Sequence, residues 1–260
     1  MTPTQGQSEP ENSVQPASQT VITPVQQIGF AYSSEQSVTS SGWDVALFDL
    51  DGTLTDSAQG VINGVLHACK ELDIEPPETD VIQKFLGPPL SHSFREYAGV
   101  DSTRISEAVR IYREYYDEVG KYENKVFDGI PELLTELVQQ GRRLAIATSK
   151  VDYAAVSILQ HFNLDHHFDV IAGADVSGEL RGTKANVIAH ALDELRMCDG
   201  TSVVMIGDRE HDIHGAQAHN LPSIGVTWGY GSRAELEAST ATHIVTDLNE
   251  LRSLLTERSA

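Results

Sequence analysis

The chain has 260 residues, 40% of them hydrophobic, with a formal charge of −20 and a pI near 4.7. That content supports a real core, and the length suits one large domain or two modest ones. The acidic balance excludes nucleic acid and anionic membrane surfaces as expected partners, since both are gripped by clustered Lys and Arg, and no 18-residue apolar run is present to span a bilayer.

Residues 1–42 are rich in Gln, Ser, Thr and Pro and contain no Lys or Arg. They read as a disordered tail, without the basic start and apolar stretch of a secretory signal. Val45-Ala46-Leu47-Phe48 then has the length and composition of a buried parallel strand. It stops on Asp49-Leu50-Asp51-Gly52-Thr53. Asp49 and Asp51 lie two apart and point to one side if strand geometry persists. Two such acids repel unless a cation or a held proton relieves them. A central strand ending in paired acids and a tight turn is where open α/β sheets place their chemistry.

Helical spacing follows at Val61, Val65, Leu66, Cys69 and Leu72, and Pro76-Pro77 stops that helix. Gly60 and Gly64 suggest close helix packing. A short helix is expected over Glu78–Leu86, and another begins near Pro89. Ile105, Ala108, Val109, Tyr112, Tyr115, Tyr116 and Val119 draw one long amphipathic face, with Ser102 as its cap. Residues 57–125 therefore read as an all-helical insertion, leaving 43–56 and 126–260 for an α/β core.

Beyond the insertion, strands and helices alternate. Pro131 and Gly141 bracket a helix. Leu144–Ala147 is a strand ending on Thr148-Ser149-Lys150, where N–H groups opening a helix favour an anion. That helix runs through Gln160, and the strand Val170–Ala172, the helix Ala185–Leu195 and the strand Val203–Ile206, ending on Gly207-Asp208, come next. A helix Glu210–His219 and a strand Ile224–Val226 complete the pattern of βαβ units. The expected fold is α/β, a Rossmann-like doubly wound parallel sheet with an inserted helical cap. His211 and His214 read as a solvated helix face, Asp165-His166-His167 as a loop, and Gly229-Tyr230-Gly231 as a turn. Cys69 and Cys198 make no metal-type spacing and read as buried free thiols in a reducing compartment, the cytoplasm.

Right-handed crossovers bring the carboxyl ends of the strands to one edge, so Asp49, Asp51, Thr148-Ser149 and Asp208 converge. Acids are hard oxygen ligands suited to Mg²⁺, and a hydroxyl, a backbone N–H and a lysine suit a phosphate. The acidic chain works against a phosphate at long range, so positive charge must be concentrated at this site.

These residues carry a resemblance. Asp49-Leu50-Asp51-Gly52-Thr53-Leu54-Thr55-Asp56, Thr148-Ser149 and Gly207-Asp208-Arg209-Glu210-His211-Asp212 resemble the first, second and fourth motifs of the haloacid dehalogenase superfamily, in its phosphatase branch with a helical cap. The resemblance covers about residues 43–256. It implies that Asp49 is the nucleophile, forming an aspartyl-phosphate. It implies that Asp51 is the general acid and then the base, with its backbone carbonyl on Mg²⁺. Asp208 would be the carboxylate metal ligand from the fourth motif, completing a set of Asp49, Asp51 and Asp208. Asp212 would hold a metal-bound water or the lysine of the third motif. Thr148 and the Ser149 N–H would bind phosphoryl oxygens. The third motif lacks its usual proline here; Lys184 is chosen because it opens the right helix, with Lys150 and Arg181 as rivals.

The cap would set substrate choice through Gly87, Pro88 and Arg95. Its loop Phe85–Leu90 resembles that of 5′-nucleotidase-like members, and phosphoglycolate phosphatases are close relatives. The expected activity is hydrolysis of a small phosphorylated metabolite, a nucleoside 5′-monophosphate before phosphoglycolate, by a monomer or dimer. A phosphomutase of the same superfamily is an alternative, and a receiver-like phospho-accepting signalling module is one from another class. No GxxxxGK[ST] is present, so a nucleotide P-loop is not expected.

Overall fold

The structure, a computed structural model, describes residues 43–88 and 90–256. The tail expected over residues 1–42 lies outside them.

The chain opens on β1 (Val45–Phe48) and a two-residue β2 (Thr55–Asp56). Four helices follow: α1 (Ala58–Glu71), α2 (Thr79–Ile82) running into a 3-10 turn at Gln83–Phe85, α3 (Leu90–Glu96) and α4 (Ile105–Glu118). The short β3 (Lys125–Val126) returns antiparallel to β2, with Thr55 opposite Val126. The alternating part then comprises α5 (Ile130–Gln139), β4 (Arg143–Val151), α6 (Asp152–His161), β5 (Val170–Ala174) and α7 (Lys184–Leu195). It ends with β6 (Val203–Gly207), α8 (Glu210–Gln217), β7 (Ser223–Val226), α9 (Arg233–Ala238), β8 (His243–Val245) and α10 (Leu248–Thr256).

Six parallel strands form one sheet in the order β5-β4-β1-β6-β7-β8. This is the doubly wound α/β fold read from the sequence. The side chains of β1 are buried on both faces. Ala46 and Phe48 meet Leu133, Leu134 and Leu137 of α5, Ile158 of α6 and Leu251 of α10. Val45 and Leu47 meet Val187, Ile188 and Ala191 of α7 and Ala216 of α8. Each fully buried Leu or Phe contributes roughly 1.5–3 kcal/mol relative to exposure. That two-sided burial fixes the depth of β1, and with it the position of Asp49.

Phe48 pairs in register with Ile146 of β4 and Ile206 of β6. The carboxyl ends of these three neighbours are therefore level. The chain leaves β1 toward β4 and β5, then crosses back to β6 on the other side. This is the switch point at which open sheets bind ligands.

The helices between β2 and β3 have their own core, in which Val61, Val65 and Cys69 of α1 pack with Phe85, Phe94, Tyr112 and Tyr116. Gly60 and Gly64 do serve close packing: a Cβ on Gly64 would lie 2.7 Å from the Tyr112 ring, and one on Gly60 would strike the Gly120 carbonyl.

Some expectations are corrected. Ser102 does not cap α4; the helix starts at Ile105, and the preceding turn is held by Asp101, whose carboxylate accepts the Thr103 N–H at 2.8 Å. The expected helix Glu78–Leu86 is one α-turn followed by a 3-10 turn. Thr148 and Ser149 do not open a helix, because β4 continues to Val151 through a register shift after Ala147. Cys69 is buried, but Cys198 is exposed. Among the described residues no helix is long and apolar enough to cross a membrane.

Candidate active site

Asp49 leaves the end of β1 with its Oδ1 held twice, by the Leu50 N–H at 2.8 Å and by Lys184 Nζ at 2.9 Å. Its Oδ2 has no protein partner among the described residues, and the side chain keeps 12% exposure. One oxygen is thus pinned while the other is free.

Lys184 is the first residue of α7, whose N-cap Thr183 accepts the Asn186 N–H at 3.2 Å. Its ammonium is saturated by three acceptors: Asp49, Asp212 Oδ1 at 2.7 Å and the Ala147 carbonyl at 2.9 Å. Burial opposes its charge, but the Asp212 and Asp49 carboxylates outweigh that and hold its pKa above the ordinary lysine value. Asp212, in the first turn of α8, is fully buried, and its Oδ2 accepts the Arg209 N–H at 3.1 Å. Of the rivals for the counter-charge, Arg181 is spent elsewhere, on Asp152 at 2.8 Å. Lys150 does reach the site, but at Asp51 rather than Asp49: its Nζ lies 2.9 Å from Asp51 Oδ2. The other Asp51 oxygen, Oδ1, is buried with no hydrogen-bond partner.

Asp208 follows β6 and is buried completely. Its Oδ2 accepts the Tyr230 N–H at 2.7 Å, and Thr53 Oγ1 lies 3.4 Å from its Oδ1. Carboxylate oxygens of Asp49, Asp208 and Asp212 come within 4.8 Å of one another. Burial, with the like charges of Asp212 and Asp51, raises the Asp49 pKa to about 6 against the pull of Lys184. Burial and the charges of Asp212 and Asp49 raise Asp208 to about 8. Lys184 pairs with Asp49 and Asp212 and Lys150 with Asp51, whereas Asp208 pairs with neither lysine, and that surplus of hard oxygen donors suits a divalent cation. His211 and His214 are exposed and belong to no such group among the described residues.

Thr148 is buried and its hydroxyl accepts the Lys150 N–H at 3.2 Å, whereas Ser149 is exposed. In the cap, Gly87 has φ +107°, and a Cβ there would lie 2.6 Å from Arg209 Nη1. That guanidinium donates to the Leu86 carbonyl and, through Nε at 2.8 Å, to Glu235. It ties the loop before Pro88 to the core beside Asp208. Arg95 is exposed on α3, and no hydrogen bond or ion pair of the described residues joins it to the acids.

Sequence reasoning assigns no site role to Arg209, Tyr116 or Tyr230, and offers Lys150 only as a rival for the place of Lys184; in the structure Lys150 Nζ also donates to Tyr116 Oη at 2.8 Å. Tyr230, expected in a turn, has a structural part in the site. Its N–H holds Asp208, and its hydroxyl accepts the Ser57 N–H at 2.7 Å, while Trp228 Nε1 donates to the Thr53 carbonyl at 3.1 Å. Two aromatics in a Gly-rich segment after a strand were the available signal.

Residues 46–226 match the family model for haloacid dehalogenase-like hydrolases. The chain belongs to this family. As a haloacid dehalogenase-like hydrolase it is an enzyme of the phosphatase type. It is 44% identical over 209 residues to a 5′-nucleotidase of Pseudomonas aeruginosa, covering 80% of this chain and 94% of that one. It is also 44% identical over 214 residues to the tyrosine-protein kinase PtkA of Mycobacterium tuberculosis, covering 81% of this chain and 72% of that one. Among solved structures, a predicted phosphatase from Clostridium acetobutylicum superposes with a TM-score of 0.76 at 44% identity, covering 82% of this chain and 97% of that one.

Proposed function

We propose that this hydrolase is a Mg²⁺-dependent phosphatase acting on small phosphate monoesters through an aspartyl-phosphate at Asp49, with nucleoside 5′-monophosphates as its preferred substrates. The observation that carries the reading is the asymmetry of Asp49: Oδ1 is pinned by Leu50 and Lys184, and Oδ2 is free. An oriented carboxylate with one open oxygen is a nucleophile poised for in-line attack.

Asp49, Asp208 and the Asp51 backbone carbonyl would hold Mg²⁺. When bound, the ion supplies charge neutralisation to the carboxylates and the phosphoryl oxygens. Asp49 Oδ2 attacks phosphorus, the bond to the ester oxygen breaks, and Asp51 gives its proton to that leaving oxygen. Asp51 then takes a proton from water as the water attacks the phosphorus of the aspartyl-phosphate, releasing inorganic phosphate and restoring Asp49. Lys184 offsets the charge of Asp49 and of the phosphoryl group, and the Thr148 hydroxyl and Ser149 N–H bind phosphoryl oxygens. Asp212 fixes Lys184. Gly87 and Pro88 stand at the cap loop that would meet the leaving group.

The preference for nucleotides is supported by the identity to the Pseudomonas 5′-nucleotidase across nearly that protein's whole length. The test is phosphate release from a panel of nucleoside monophosphates, phosphoglycolate and sugar phosphates, with Mg²⁺ and with EDTA. Selective, EDTA-sensitive turnover of nucleotides is expected. Equal, poor activity on all would overturn the preference. Because PtkA is similarly close, the panel includes ATP with the protein alone; tyrosine phosphorylation of the chain without phosphate turnover would favour a kinase reading instead.

A further inference from the structure

We propose that Lys150 is a positioning residue for Asp51, and that Tyr116 makes its placement depend on the cap. This rests on the reading of Asp51 as proton donor. Lys150 projects from β4 in the sheet, and Tyr116 from α4 in the cap. The ammonium bridges them: it lies 2.9 Å from Asp51 Oδ2, donates to Tyr116 Oη at 2.8 Å, and sits 4.5 Å from the centroid of the Tyr116 ring. Its side chain is 10% exposed, and Asp51 is its only ion-pair partner among the described residues.

Tyr116 is itself held in place. Its ring stacks on Tyr112 with centroids 5.5 Å apart at 10°, and Tyr112 lies against Gly64 of α1. One residue on, Asp117 accepts a hydrogen bond from Tyr153 of α6 at 2.9 Å, a second tie between α4 and the core. The chain Gly64–Tyr112–Tyr116–Lys150–Asp51 thus runs from the interior of the cap to the acid beside the nucleophile. Lys150 engages Oδ2, and the other Asp51 oxygen, Oδ1, is buried with no hydrogen-bond partner, so the Lys150 contact is what fixes the rotation of this carboxyl. The core gives Lys150 one anchor, and the cap supplies the second. A buried charge held at two points has little freedom to swing away.

A misplaced proton donor matters most when the leaving group is poor. The test therefore compares phenyl phosphate with p-nitrophenyl phosphate, whose phenolate leaves more readily, using the full chain with Mg²⁺. Y116F keeps the ring and its stacking but loses the hydroxyl. It should lower kcat about 3- to 10-fold on phenyl phosphate and less than about twofold on p-nitrophenyl phosphate, with KM little changed. K150M should show the same bias with a loss above about tenfold, and K150R should recover part of it. Thermal melts confirm that the variants are folded. Equal losses on the two substrates in Y116F and K150M, while D51N keeps the bias, would overturn the proposal and leave Asp51 as donor. A D51N variant with no bias would overturn the reading of Asp51 itself, and the proposal with it.

Discussion

Lys184 and Asp49 are joined across the sheet edge at 2.9 Å, and the lysine spends its other donors on Asp212 and on the Ala147 carbonyl. The ammonium therefore orients the nucleophile and at the same time neutralises a buried cluster. Removing it leaves uncompensated carboxylates in the interior, a situation that costs about 3–5 kcal/mol. K184M is expected to lower Tm markedly without Mg²⁺ and to abolish phosphate release. A K184M protein with unchanged melting and turnover would show that the cluster does not need this charge.

The acids also make stability depend on pH. Burial and the neighbouring carboxylates push Asp49 up to about 6 and Asp208 up to about 8, above the ordinary carboxylate range. A carboxyl whose folded pKa lies above its unfolded one binds its proton more tightly when folded. In metal-free protein that contribution is complete below about pH 4 and is lost as pH rises through about 6 and about 8. Mg²⁺ competes with those protons. The rise in Tm on adding saturating Mg²⁺ should be small near pH 5 and grow toward pH 8, as scanning fluorimetry would read. A Mg²⁺ shift that is flat or falls over this range would contradict the assignment of these carboxyls to the cation.

Gly87 should be intolerant of a side chain for two separate reasons. Its φ of +107° disfavours any L residue, and an added Cβ would meet Arg209 Nη1 at 2.6 Å. Strain of this kind costs about 1–3 kcal/mol unless the loop moves. Because the loop belongs to the cap, the cost should appear in substrate binding: G87A is predicted to raise KM about 5- to 150-fold on the best substrate, at about 1.4 kcal/mol per factor of ten, and to change p-nitrophenyl phosphate hydrolysis less. Steady-state kinetics on both substrates decides it.

Much of this site was legible in the sequence because apolar runs end abruptly on polar residues. Val45–Phe48 ends on Asp49, and Val203–Ile206 ends just before Asp208, at the carboxyl ends of adjacent strands. Lys184 was found without the usual proline because it opens α7, where Thr183 caps the helix. The same rule misplaced Thr148 and Ser149. The apolar run stops at Ala147, but backbone pairing carries β4 to Val151 through polar residues. Strands as short as β2, β3 and β8 offer too few residues for a period to show. Contacts such as Lys150–Tyr116, 34 residues apart, and Tyr230–Asp208, 22 apart, leave no periodic trace in either segment. Tertiary packing decides them.

The central claim is that Asp49 carries the phosphoryl group, and rapid acid quench of a single turnover, followed by peptide mapping, tests it most directly. The peptide holding Val45–Leu54 should carry an acid-stable, hydroxylamine-labile phosphoryl group on Asp49, absent from D49N, which should show no turnover. Full phosphate release from D49N, or turnover in the wild type with no phosphoryl group trapped on Asp49, would contradict it.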